Sequence, residues 1–126
     1  MFGSQEEETE IYHSAVAILP VSDMPAAQRF FERLGFRAEY SDEAYIILDD
    51  GKGWQLHLKK AGPSFLKPAT PVGLYLYTEE VDRLAAEFRE EILEPSKEPE
   101  EKEWGTYEFT LRGPDGIEVQ VGWPID

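Results

Sequence analysis

The stretch Trp104–Trp123, WGTYEFTLRGPDGIEVQVGW, reads as two short strands joined by a Gly-Pro-Asp-Gly turn. Pro114 presets φ for the second position of a turn and Asp115-Gly116 tolerates left-handed backbone, so Leu111 and Ile117 can lie on adjacent antiparallel strands. After the turn, Ile117, Val119 and Val121 alternate with Glu118, Gln120 and Gly122. A period of two sends the apolar set to a core and turns the polar row to the opposite face, which becomes the candidate site.

A weaker copy of this design lies upstream. Asp49, Asp50 and Gly51 form a turn ahead of a strand in which Trp54, Leu56 and Leu58 alternate with Gln55, His57 and Lys59. Two halves of similar length that each end in such a hairpin make an internal repeat. Before the first hairpin, a strand is predicted from His13 to Val21, with Val16, Ile18 and Pro20 on one face and Ala15, Ala17 and Leu19 on the other. Pro20 cannot donate to a ladder, which places it at the strand's end or at a sheet edge. Ser22 or Asp23 caps a helix, Pro25 occupies its first turn, Gly35 stops it, and Ala27, Phe30, Phe31 and Leu34 fall at helical spacing. Phe36–Tyr40 and Ala44–Leu48 read as two further strands.

Residues 61–71, rich in proline and without periodicity, read as a linker. Val72–Thr78 alternates Leu74 and Leu76 with Gly73, Tyr75 and Tyr77, and Val81, Leu84, Ala85, Phe88 and Ile92 give the next helix one apolar stripe. Leu93–Glu103, with two prolines among its carboxylates, reads as a loop that hides a short irregular strand. The expected architecture is α+β in a single domain spanning 1–126, with an acidic tail at 1–12, module one at 13–60, the linker, and module two at 72–126. Each module has the order β-α-β-β-β.

A chain of 126 residues is long enough to bury roughly two-thirds of its unfolded surface without metal or disulfide staples. It contains no cysteine, so disulfides, thiolate metal sites and cysteine nucleophiles are excluded. The formal charge of −14, from 26 acids against 12 bases, repels phosphate backbones and anionic membranes and attracts cationic ligands. Nucleic acid and membrane partners are therefore not expected. Much of the charge, including Glu6, Glu7, Glu8, Glu10 and the run Glu98–Glu103, reads as solvated. With no basic leader and no long apolar run, the expected location is the cytoplasm. Absent asparagine and abundant glutamate hint at heat adaptation. Two histidines and no nucleophile-elbow pattern leave no triad, and the Gly51–Gly53 turn lacks the helix that a phosphate loop needs.

AVAILPVSDMPAAQRFFERLGFRAEY in the first half and the closing Trp104–Trp123 hairpin together resemble the vicinal-oxygen-chelate (glyoxalase/bleomycin-resistance/dioxygenase) superfamily, most closely its bleomycin-binding branch. The resemblance covers residues 14 to 122 and rests on Val16, Leu19, Pro20, Asp23, Phe30, Phe31, Leu34-Gly35-Phe36, Val81-Asp82, Glu103-Trp104-Gly105, Glu108 and Pro114-Asp115-Gly116. It implies half-barrel sheets and a homodimer whose clefts lie between facing sheets. It also implies four cleft-facing metal-ligand positions, which correspond to Val16, Gly73, Gln120 and either Gln55 or His57. A metal needs convergent oxygen or nitrogen donors, and valine and glycine offer none. No metal and no cofactor are therefore expected, and with them goes the Lewis acid of the superfamily's enzymes.

The expected ligand-binding residues are Gln55, His57, Tyr75, Tyr77, Trp104, Glu118 and Gln120, with no catalytic residue assigned. His57 has two readings that the sequence leaves open, a ligand or acid/base contact and a histidine hydrogen-bonded to a neighbour in a groove wall. Tyr75 and Tyr77 read either as cleft aromatics or as ordinary strand residues. Aromatic faces beside carboxylates suit a planar or cationic molecule, and Trp104 at a cleft rim matches a flat group such as the bithiazole of bleomycin. Trp54 and Phe30-Phe31 read as core or dimer contacts, and His13 as a residue without a role. The leading expectation is thus metal-independent sequestration of a cationic aromatic drug or metabolite in a homodimer cleft. The alternatives are a lyase or dioxygenase with a rearranged metal site drawn from His57, Gln55, Glu118 and Gln120, and a binding domain for an unrelated metabolite.

Overall fold

The computed structural model of the protein describes residues 11–62 and 72–125. Most of the expected acidic tail and residues 63–71 of the expected linker lie outside the described residues. Module one comprises β1 (Ala17–Val21), α1 (Met24–Leu34), β2 (Arg37–Ser41), β3 (Tyr45–Asp49) and β4 (Gln55–Lys60). Module two comprises β5 (Gly73–Tyr77), α2 (Val81–Glu87), β6 (Glu100–Glu101), β7 (Thr106–Arg112) and β8 (Glu118–Pro124). The sheets have equivalent strand orders, β1-β4-β3-β2 and β5-β8-β7-β6, each with one parallel pairing and two antiparallel ones. The repeat expected from the two hairpins is therefore a repeat of topology, and the fold is α+β.

Local chemistry explains the elements. Asp23 takes the N-cap of α1 and its Oδ1 accepts from the Ala26 amide at 3.0 Å, a bond of the kind worth about 1 kcal/mol. Gly35 ends the helix at φ +114, where a Cβ would be strained. Pro20 lies on β1, an edge strand whose outer side needs no amide donor.

The alternation read from sequence sorts the faces. Leu19, Val21, Leu56, Leu58, Leu76, Val119 and Val121 are buried beneath the helices, whereas Ile18, Gln55 and Tyr77 are exposed on the opposite side. One continuous apolar cluster draws on both modules. The junction is aromatic: Phe30 lies edge-on to Phe31 at 5.1 Å and 5.9 Å from Phe88 of module two. Arg33 covers the Phe88 ring at 4.2 Å and forms an ion pair with Glu91 at 2.6 Å. Trp54 stacks on Phe36 at 5.6 Å and donates its Nε1–H to the Tyr77 carbonyl at 3.0 Å.

Three expectations need correction. The first strand begins at Ala17, not His13: Ala17 is the first residue to pair, with Leu56 of β4, and the same parallel register would set His13 and Ser14 beside the Gly51–Gly53 turn, where there is no ladder to join. The apolar stripe of the second helix is buried as its spacing predicts, but the α-helix ends at Glu87 and a 3-10 turn at Arg89–Glu91 carries the chain to Ile92. The run Glu98–Glu103 is not simply solvated: Glu100 and Glu101 form β6, and the Lys102 ammonium lies 3.2 Å from Glu100 and 3.3 Å from the buried Glu94. No helix among the described residues is long and apolar enough to cross a membrane.

Candidate functional site

The register of sheet two lays its open face out in rows. Tyr77 pairs with Gly122, Gly122 with Glu108, and Glu108 with Glu100. The next row holds Tyr75, Gln120 and Thr110, and the one beyond holds Gly73, Glu118 and Arg112. Gly122 leaves a gap through which the Tyr75 side chain crosses to Glu108. A Cβ at Gly122 would collide with the Tyr75 hydroxyl, and would lie 2.6 Å from Glu108 Cβ and 2.9 Å from the Tyr107 carbonyl.

Glu108 is fully buried and holds this face together. Its Oε1 accepts from Thr106 Oγ1–H at 2.6 Å, Tyr75 O–H at 2.8 Å and Trp104 Nε1–H at 3.2 Å, while Oε2 accepts from Gln120 Nε2 at 3.1 Å. Burying a lone carboxylate costs several kcal/mol, whereas hydrogen bonds to a charged group contribute about 1.5–3 kcal/mol each, so four donors can hold it ionised. Burial pushes its pKa up, but the Thr106, Tyr75 and Trp104 donors and the Lys102 charge outweigh burial and leave it below the usual glutamate value. Burial, followed by the bond to Glu108, pushes the Tyr75 hydroxyl up to about 12.

Trp104 is 67 % exposed although its N–H is tied down. Its backbone sits in the turn between β6 and β7, closed by Lys102 N–H to Thr106 O at 2.7 Å and Gly105 N–H to Lys102 O at 3.0 Å, with Gly105 at φ +94. The Tyr75 and Tyr77 rings lie 4.5 Å apart, and Tyr77 is 55 % exposed. A second carboxylate, Glu94, is buried in the segment that precedes β6 and reaches β7, where it accepts from Thr110 N–H at 2.8 Å and Thr110 Oγ1–H at 3.0 Å.

Of the residues expected at a site, Tyr75, Trp104 and Gln120 are therefore joined through Glu108, and Tyr77 packs on Tyr75. Glu118 is exposed on the same face. Gln55 and His57 are on sheet one, each with its own partner: Gln55 Nε2 donates to Asp49 at 2.9 Å, and His57 Nδ1 lies 2.7 Å from the Tyr45 hydroxyl. Sequence reading gave Glu108, Thr106, Gly122 and Tyr45 no site role. The signal for Glu108 is the alternation of Thr106, Glu108 and Thr110 against Tyr107, Phe109 and Leu111 along β7.

The model of the Glyoxalase/Bleomycin resistance protein/Dioxygenase superfamily matches residues 11–121. The chain belongs to this superfamily. Among solved members, a bleomycin-binding protein complexed with bleomycin is 26% identical, with a TM-score of 0.73 over 89% of this chain and 98% of the other. A bleomycin resistance determinant encoded on the transposon Tn5 is 25% identical, with a TM-score of 0.74 over 90% and 98%. A possible glyoxalase from Bacillus cereus is 27% identical, with a TM-score of 0.61 over 87% and 98%. No protein of curated description matches the chain.

The superfamily's metal enzymes raise the question of whether a divalent ion fits here. Val16 and Gly73 carry no side-chain donor, and His57 Nδ1 is turned to Tyr45. Among the described residues, no three His, Cys, Asp or Glu side chains are grouped so as to hold a metal ion. The residues present do not fit the metal.

Proposed function

We propose that the protein is a metal-independent small-molecule binder of the bleomycin-resistance type, which sequesters a planar, cationic drug or metabolite in the cytoplasm. The observation that carries this reading is the exposed Trp104 indole, anchored beside the Tyr75–Tyr77 pair on a face bearing Glu100, Glu108 and Glu118. Aromatic faces stack on flat rings and attract cations, each contact contributing about 0.5–2 kcal/mol. The surrounding carboxylates draw in a positive tail. Similarity to a bleomycin-binding protein solved with bleomycin supports the ligand class. The binding unit is a homodimer in which the open faces of two subunits form the clefts, and Gln55 and His57 of sheet one contribute to their polar wall.

Sequestration lowers free ligand without altering it. The test is to incubate the protein with copper-free bleomycin, separate the complex, release the ligand by denaturation and determine its mass. The reading predicts near-stoichiometric recovery of unmodified bleomycin. Recovery of a chemically altered drug, or dependence of the reaction on an added divalent metal, would replace the binder with an enzyme.

A further inference from the structure

We propose that Glu108 is the positioning residue of the aromatic wall, a buried carboxylate that fixes the Trp104 indole and the Tyr75 ring in a receptive arrangement before any ligand arrives. This rests on the reading of that face as the binding site. Three observations carry it. A fully buried carboxylate on the open side of a sheet places an anion where the strand alternation would tolerate an apolar or neutral group. Two of its donors are the aromatic side chains that line the face, and both reach the same oxygen, at 2.8 and 3.2 Å, so the rings are held relative to each other. Gly122 is bare where Tyr75 must cross, so the backbone accommodates this arrangement at the position opposite Glu108.

The physical consequence is preorganisation. A surface tryptophan with free torsions loses rotamer entropy when it stacks on a ligand, and one already held by its N–H loses less. The face thereby combines an exposed stacking surface with a restrained side chain. Specificity follows from the same atoms: because Oε1 already takes three donors, Glu108 recognises the ligand through the rings it holds, and with Glu100 paired to Lys102 the exposed Glu118 is left to meet a cation.

The test compares Glu108→Ala, which removes the acceptor, with Glu108→Gln, which keeps one acceptor oxygen without the charge, each in the wild-type and Trp104→Phe backgrounds. The indole N–H resonance of Trp104, identified by its loss in Trp104→Phe, reads the ligand-free protein. Exchange of that proton with solvent should quicken by about tenfold or more in Glu108→Ala and by less in Glu108→Gln, while the Trp54 and Trp123 indoles hold their values. Affinity for copper-free bleomycin should fall by about tenfold in Glu108→Ala, partly recover in Glu108→Gln, and fall by clearly less in either variant once Trp104 is phenylalanine, where only the Tyr75 ring is left to be released. An unmoved Trp104 resonance in Glu108→Ala, or equal affinity losses in both backgrounds, overturns the proposal. If bleomycin binds none of these proteins, the ligand class proposed above fails, and the resonance still decides the role of Glu108.

Discussion

Ser22 donates twice to Asp115, from its amide at 2.9 Å and from its hydroxyl at 2.7 Å, across 93 residues of chain. The bond pair ties the entrance to α1 in module one to the closing hairpin of module two, and Asp115 makes it from φ +56. Asp115→Ala should remove both bonds and strain the turn, lowering stability by about 1–2 kcal/mol and Tm by roughly 3–8 °C. Asp115→Gly removes the bonds but relieves the backbone, so it should lose less. Thermal denaturation that ranks the two variants the other way would contradict this account of the turn.

Gly122→Ala is expected to cost about 1–3 kcal/mol, because its Cβ has no room between the Tyr75 hydroxyl, Glu108 and the Tyr107 carbonyl. The effect should shrink in a Gly122→Ala/Tyr75→Phe double variant, which removes one of the colliding atoms. Chemical denaturation of the four proteins in this cycle measures the coupling.

The depressed pKa of Glu108 fixes the direction of an acid effect. Its ionised form is favoured in the folded protein, so its contribution to stability is complete above the unfolded value near 4.5 and is lost as pH falls through the lower folded value. Stability of the wild type should therefore fall with acid more steeply than that of Glu108→Gln over that range. Parallel acid limbs for the two proteins would show that Glu108 is not held ionised.

At the alkaline end the sign reverses, because two tyrosines are held protonated. Burial and Glu108 push Tyr75 up to about 12, and the Asp82 hydrogen bond, with burial second, pushes Tyr107 up to about 12. Their stabilisation is complete below the unfolded value near 10 and is lost as pH rises towards 12. Tyrosinate absorbance should show a late-ionising group that disappears in Tyr75→Phe and another that disappears in Tyr107→Phe.

The parts of the fold that were legible in sequence are those set by neighbours in the chain. Asp23, Pro25 and Gly35 announce α1, and the period of two assigns Leu56 and His57, or Leu76 and Tyr75, to opposite faces without knowledge of their partners. What stayed hidden depends on register. Glu108 stands between Tyr107 and Phe109 like any strand glutamate, and only the pairing of β7 with β8 places Gly122 and Tyr75 beside it. A buried charge is stable only with its donors, and those donors come from residues 75, 104, 106 and 120. Likewise, His57 could be placed on a face, but its partner Tyr45 is set by the packing of β3 on β4.

As an anchor for a planar ligand, Trp104 should make its Trp104→Ala variant bind copper-free bleomycin more weakly by about 1–3 kcal/mol, and because the change also removes one of the four donors to buried Glu108, Tm should fall by a few degrees. Equal affinity in the variant and the wild type would remove Trp104 from the site.

The most direct measurement is a fluorescence titration of the wild-type protein with copper-free bleomycin, following its tryptophans at low and at high salt. The account predicts saturation near one ligand per subunit, with affinity that weakens as salt screens the carboxylates of the face. A tryptophan signal and a binding isotherm that stay flat at both salt concentrations would contradict it.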